Sequence, residues 1–304
     1  LRLGGAESPT GYIDPITPEL AHFSDISDVL IPTTAIGATT SVGNLSMYPT
    51  QSYVDSRSSE LVHDPIYATY MYMGNGSIFW KSTDKGATFE PVFDFGSATV
   101  LEIEQARDDR SRFYAVVLIS GQCKLYSSTN GGASWSLAPG IPTNWGRMEI
   151  AVNPGDGLDI WAIYADADDV WRSTNGGSSW SDMGVGSSAI TAHKFRDIHC
   201  IGEEGVVVIS TTGGFHMASE ASSWTTWDTG MPALWAPYEA FPFYRDGVLR
   251  VADKGKGVWE AALPWEVAPL AMPITESPDI FCATDTVKFD CHSILNHEGA
   301  SWSW

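Results

Sequence analysis

Ser82-Thr-Asp-Lys-Gly-Ala-Thr-Phe89 recurs as Ser128-Thr-Asn-Gly-Gly-Ala-Ser-Trp135 and again as Ser173-Thr-Asn-Gly-Gly-Ser-Ser-Trp180. In each copy Asp84, Asn130 or Asn175 is followed two residues later by Gly86, Gly132 or Gly177. The short side chain can accept bonds from nearby backbone N–H groups, and Gly takes φ > 0 without a Cβ clash, so each copy predicts a turn. The closing aromatic is expected to begin the next strand and fold back onto the apolar residue before the Ser, which is Trp80, Tyr126 or Trp171.

Spacing carries more information than the motif. The aligned serines lie 46 and 45 residues apart, and self-similarity at such a period marks a repeat architecture. A degenerate copy ends at Trp224, with Phe215 in the place of Trp171, and Trp259 in Gly257-Val-Trp-Glu260 marks a fifth unit. Short runs of alternating apolar and polar residues between turn formers read as strands. The second unit gives 100–106, 113–119, 124–128 and 134–137; the third gives 147–152, 160–164, 169–173 and 179–181. Four antiparallel strands form each unit.

Over roughly residues 45–265 these units resemble Asp-box, or bacterial neuraminidase, repeats, found in sialidases, xyloglucan-cleaving hydrolases, sortilin-type receptors and many secreted bacterial proteins. The resemblance implies an all-β fold, a β-propeller with one blade per repeat and its turns on an outer rim. Six blades are expected, with five or seven as the neighbouring solutions. The repeats occupy 46–265. Residues 1–45 are expected to complete the circle, because an open ring leaves sheet edges and apolar faces in water.

Beyond the repeats, Pro269, Pro273 and Pro278 punctuate an extended linker over 266–280. Residues 281–304, with Cys282 to Phe289 and Trp302-Ser-Trp304, resemble the opening of a PKD-type immunoglobulin-like sandwich, cut short. The run from Phe243 to Arg250 leading to Glu260 is similar to the final blade of large extracellular proteins of bacteria with type IX secretion. That resemblance implies an extracellular or cell-surface segment of a longer, multi-module chain.

Composition narrows the partners. With a formal charge of −20 and only 17 Lys and Arg in 304 residues, the chain lacks the basic surface that nucleic-acid binding requires. No apolar run approaches the length of a membrane span. Cys123, Cys200, Cys282 and Cys291 are too few for a disulfide scaffold and include no Cys-x-x-Cys pair; Cys282 and Cys291 are near enough to be bridged or to remain thiols. No phosphate loop, dinucleotide fingerprint or Gly-x-Ser-x-Gly elbow occurs, so no cofactor is expected. Asp166, Asp168 and Asp169 offer oxygen ligands for Ca²⁺, without the glycine and distal Glu of an EF-hand loop. A solvated hairpin tip explains the same residues.

Ligands of propellers gather where the innermost strands converge. Aligning the segments that enter those strands pairs Trp145, Arg147 and Glu149 with Trp235, Pro237 and Glu239, puts His193 at the equivalent Glu position between them, and admits Glu102 if one extra residue is allowed. The expected ring is Glu102, Glu149, His193 and Glu239, flanked by Trp145 and Trp235, with Arg147 alongside. Aromatic faces stacking on sugar rings beside paired carboxylates would make a glycan site; Trp packing between blades and Glu capping loops is the plainer account. Sialidase chemistry is disfavoured because Arg57 is followed by Ser-Ser where the resemblance calls for Arg-Ile-Pro. Three functions remain: a structural or adhesive module binding another surface protein, a carbohydrate-binding disc, and a xyloglucanase-type glycoside hydrolase.

Overall fold

The computed structural model describes residues 61–86, 88–141, 147–164, 169–183, 194–202, 206–211, 214–218, 224–227, 237–243, 247–253 and 257–263, together with strands at 11–13, 20–23, 31–34, 273–275 and 289–291. Strands and turns account for the regular structure; no helix occurs among the described residues. An antiparallel sheet of β1 (Gly11–Ile13), β2 (Leu20–Phe23) and β3 (Ile31–Thr34) opens the chain. Five consecutive sheets follow, each a meander hydrogen-bonded in sequence order. They are β4 (Val62–His63), β5 (Met71–Asn75), β6 (Ile78–Ser82) and β7 (Glu90–Asp94); β8 (Ala98–Gln105), β9 (Phe113–Ile119), β10 (Gln122–Ser128) and β11 (Ser136–Leu137); and β12 (Met148–Asn153), β13 (Asp156–Tyr164), β14 (Val170–Ser173) and β15 (Ser181–Asp182). Next come β16 (Phe195–Ile201), β17 (Val206–Thr211), β18 (Gly214–Ala218) and β19 (Thr225–Trp227), then β20 (Pro237–Phe243), β21 (Val248–Asp253) and β22 (Gly257–Ala262). A two-stranded pair, β23 (Pro273–Thr275) and β24 (Phe289–Cys291), closes the list of strands. The five meanders are blades of a β-propeller. Closure of the ring by residues 1–45, the linker at 266–280 and the sandwich opening at 281–304 rest largely on segments outside the described residues.

The repeated turn has one geometry in all three copies. Gly86, Gly132 and Gly177 take φ of 79°, 84° and 86°. Each donates its N–H to the preceding Ser hydroxyl, Ser82, Ser128 or Ser173, at 2.8, 3.0 and 2.9 Å. That hydroxyl donates in turn to Asp84, Asn130 or Asn175 at 2.8, 3.0 and 2.9 Å. The same Oδ1 accepts the N–H of Thr88, Ser134 or Ser179 at 2.8, 2.9 and 2.9 Å. Two bonds thus converge on one side-chain amide or carboxylate oxygen, which is why either Asp or Asn serves.

The closing aromatics do more than fold back within their own blade. Trp135 Nε1 donates to Gly132 O at 2.9 Å, while its ring meets Phe79 of the preceding blade edge-on with centroids 5.4 Å apart. Trp224 reaches the preceding blade with both groups, donating to Met183 O at 2.7 Å and meeting Trp161 edge-on at 6.1 Å. Turn and blade interface are therefore built by one residue.

The core lies between blades, because each sheet is apolar on both faces. Tyr72 and Phe79 pack on Phe113, Ala115 and Val117; Tyr114, Val116 and Leu125 pack on Met148, Ile150 and Ala162; Ala151, Trp161 and Ile163 pack on Phe195, Ile198 and Ile209. Cys123 and Cys200 are buried free thiols in two different layers. Polar latches add to this packing. Asp64, its side chain fully buried, receives Arg110 through Nη2 at 2.6 Å and Nε at 2.8 Å, Gln105 Nε2 at 3.3 Å and the Ile66 and Tyr67 N–H groups at 3.0 and 2.9 Å. Blades one and two are joined by that carboxylate.

Candidate functional site

The first strands of blades two to five, β8, β12, β16 and β20, lie side by side around the axis. Each has only one strand neighbour, so alternate backbone N–H groups on its free edge need partners from elsewhere. Two such donors find them in carboxylates of the preceding blade. The Ile150 N–H donates to Glu102, 3.2 Å from both oxygens, and the Ala240 N–H donates to Asp197 Oδ2 at 2.8 Å.

This pairing corrects the alignment of the ring. Glu102 follows a register shift between Val100 and Glu102, Asp197 one between Phe195 and Asp197, and Glu239 one between Pro237 and Glu239. Leu101 is thus the extra residue that the sequence alignment had to allow. The residue equivalent to Glu149 in blade four is Asp197 and not His193: both acids precede an inner-strand position, Ile150 or Ile198, that packs between blades. A count of 44 residues from Glu149 falls on His193, but the segment entering β16 is longer, and His193 itself lies outside the described residues. A spacing of 48 from Glu149 to Asp197, close to the 47 from Glu102 to Glu149, was the signal available in the sequence.

Electrostatics separates these acids. Burial, and then the neighbouring carboxylates of Glu149 and Glu104, push the Glu102 carboxyl well above the usual carboxylate range, against the opposing pull of the Ile150 N–H and Arg147. Glu149 pairs with Arg147 Nε, which sets an ion-paired carboxylate beside one whose pKa burial raises. For Asp197 burial alone would raise the pKa, but the His199 ring and the N–H groups of Ala240 and Ile198 outweigh it and hold the carboxyl below the usual range. His199 Nε2 lies 3.0 Å from Asp197 Oδ2; a carboxylate only accepts, so Nε2 carries the proton.

Trp145, Trp235, Asp166 and Asp168 lie outside the described residues, Glu239 is placed only by its strand, and Asp169 accepts the Tyr164 N–H through its backbone oxygen at 3.4 Å. Among the described residues no group of three His, Cys, Asp or Glu is placed to hold a metal ion. Below the acidic ring, toward the far ends of the inner strands, lies a cavity of about 230 Å³ to which all five blades contribute, including Pro65, Glu104, Arg107, Ala151, His199 and Pro242.

No family model matches the chain. Among curated proteins it is similar to a xyloglucanase of Hypocrea jecorina (strain QM6a), 24% identical over 224 residues, which is 60% of this chain and 26% of that protein. A xyloglucanase of Paenibacillus sp is 28% identical over 147 residues, 36% of this chain and 14% of that protein. The chain therefore spans about a quarter or less of the curated relatives it matches. Among solved structures, an ancestral GH74 enzyme superposes with a TM-score of 0.62 at 14% identity, over 86% of this chain and 37% of that one. The GH74 xyloglucanase from Xanthomonas campestris gives 0.58 at 14% identity, over 93% and 47%. YCF48 bound to D1 peptide gives 0.55 at 10% identity, over 86% and 83%. These likenesses show the propeller fold; the repeat family, PKD module and secretion route are not what they show.

Proposed function

We propose that this chain is a propeller of an extracellular glycoside hydrolase of the xyloglucanase type, acting on a β-glucan. The observation that carries the reading is the pair Glu102 and Glu149, two inner-strand carboxylates with opposite environments: burial raises the pKa of one, and the other is ion-paired to Arg147. Glycosidic cleavage needs an acid that keeps its proton and a carboxylate that stays charged, and separation of two carboxyl groups by environment supplies both roles. In this reading Glu102 gives its proton to the leaving oxygen, Glu149 serves the other face of the sugar, and Trp145 and Trp235 are the stacking platforms. The relatives support a hydrolase over the structural module that the repeats alone suggested.

The test is release of reducing ends from xyloglucan by the purified chain. Glu102→Gln and Glu149→Gln are each expected to lower the rate by about 10²–10⁴-fold while retaining the fold. Full activity in both variants would move the chemistry elsewhere. A second reading, a non-catalytic recognition disc, is favoured by the bonds from Glu102 to Ile150 and from Asp197 to Ala240, which give these acids a structural task at the blade seams. Xyloglucan retention without turnover would select it.

A further inference from the structure

The axial cavity is separate from the Glu102–Glu149 pair yet continuous with its strand face. Positions two residues beyond the ring are Glu104 in β8, Ala151 in β12 and His199 in β16, and side chains two apart in a strand share a face. All three line the cavity. Ala151 is the small member, so the space opens between a carboxylate on one side and an imidazole on the other. The imidazole is held in orientation, since His199 Nε2 is bonded to Asp197. Arg107 lines the same space.

Three features define what would fit. Charges of both signs, Glu104 against Arg107, disfavour a net anion or cation and favour a neutral group. Glu104, Gln105 and Asn153 stand beside Ile150, Val152 and Pro242, a mixed wall that suits a group with polar edges and an apolar face. A volume of about 230 Å³ is below the range of drug-sized ligands and suits one small ring. We propose that this cavity binds a single neutral, hydroxyl-rich ring of monosaccharide size, with Glu104 and His199 contacting its hydroxyls and Ala151 leaving the room for it. The inference rests on the glycan-acting reading for its ligand class but requires no turnover.

The experiment is titration of the intact chain with xylose, glucose and galactose, followed by isothermal calorimetry and ligand-observed NMR. Saturable binding of at least one sugar is expected, weakened about tenfold by Glu104→Gln through loss of a charge-assisted hydrogen bond. Ala151→Val, which narrows the space without touching a charge, is expected to abolish it; circular dichroism confirms that both variants fold. Glu149→Gln should leave monosaccharide binding intact while removing xyloglucan hydrolysis, which separates failure of this proposal from failure of the hydrolase reading. Absence of binding up to about 50 mM sugar, or binding indifferent to both cavity variants, overturns the proposal and leaves the cavity a hydrated channel.

Discussion

Single atoms decide the behaviour of the repeated turn. Gly132 and Gly177 share a left-handed φ, so a side chain strains the backbone at either place by about 1 kcal/mol. Their surroundings differ. A Cβ on Gly132 would land on the Phe79 ring of the preceding blade, whereas one on Gly177 meets the Ala138 Cβ at 3.2 Å and the Trp180 ring at an ordinary 3.7 Å. Gly132→Ala is therefore expected to lose about 2–4 kcal/mol and Gly177→Ala about 1–2 kcal/mol, since overpacking a fixed aromatic adds to the strain. Urea unfolding of the two variants checks the order; equal losses would contradict it. Glu102 gives a prediction of the opposite sign. Its raised pKa means that the folded protein binds the proton more tightly than the unfolded chain, so its favourable contribution is present below the unfolded value and lost as pH rises through the folded one. Glu102→Gln keeps an oxygen for the Ile150 N–H and removes the charge. The variant is expected to melt at or above the wild-type temperature at pH 8 and to lose that advantage toward pH 4; a lower melting temperature at pH 8 would contradict it.

At the scale of elements, each strand owes its place to alternation and each blade to what its neighbour offers. The strands of the second and third repeats were readable in the sequence: runs read at 113–119 and 169–173 are found at Phe113–Ile119 and Val170–Ser173. They were readable because turns fix both ends and period-2 alternation fixes the middle. Segments entering the inner strands were not, since their length varies from blade to blade and nothing local restrains it. Counting at the rim period therefore chose His193 where the strand register gives Asp197. The bulges before Glu102, Asp197 and Glu239 hid the same equivalence, as each inserts a residue that alternation cannot anticipate. The latch of Asp64 and Arg110 was equally invisible, because its partners are 46 residues apart and belong to different sheets. Arg110 also stacks on Tyr67, its guanidinium carbon 3.9 Å from the ring centroid. Arg110→Ala strands a buried carboxylate, and a loss of about 3 kcal/mol is expected, tempered by the partial exposure of Arg110 itself. Thermal unfolding measures it; a loss within about 0.5 kcal/mol, as for an exposed pair, would show that Asp64 is satisfied without the arginine.

Across the whole molecule the axis is an edge problem solved by acids. Every inner strand leaves N–H groups facing the centre, and carboxylates from the preceding blade take two of them. The formal charge of −20 thus includes carboxylates that hold blades together as well as those that face water. Acid should loosen the disc at the seam where the carboxyl is charged, and the fourth and fifth blades carry such a seam. Asp197 has a folded pKa below its unfolded value of about 3.9, so the stability it supplies is fully present above that value and is lost as pH falls through the depressed folded pKa. Asp197→Asn removes the charged acceptor shared by Ala240 N and His199 Nε2 while keeping its shape. A loss of about 1–3 kcal/mol is expected at pH 7, shrinking as pH falls through the depressed folded pKa and the wild-type carboxyl takes up its proton. Chemical unfolding of wild type and variant at pH 7, 5 and 2 measures the gap, with amide exchange at Ala240 reporting the seam directly. A gap that stays constant over this range would mean that the charge of Asp197 does not hold the fourth and fifth blades together.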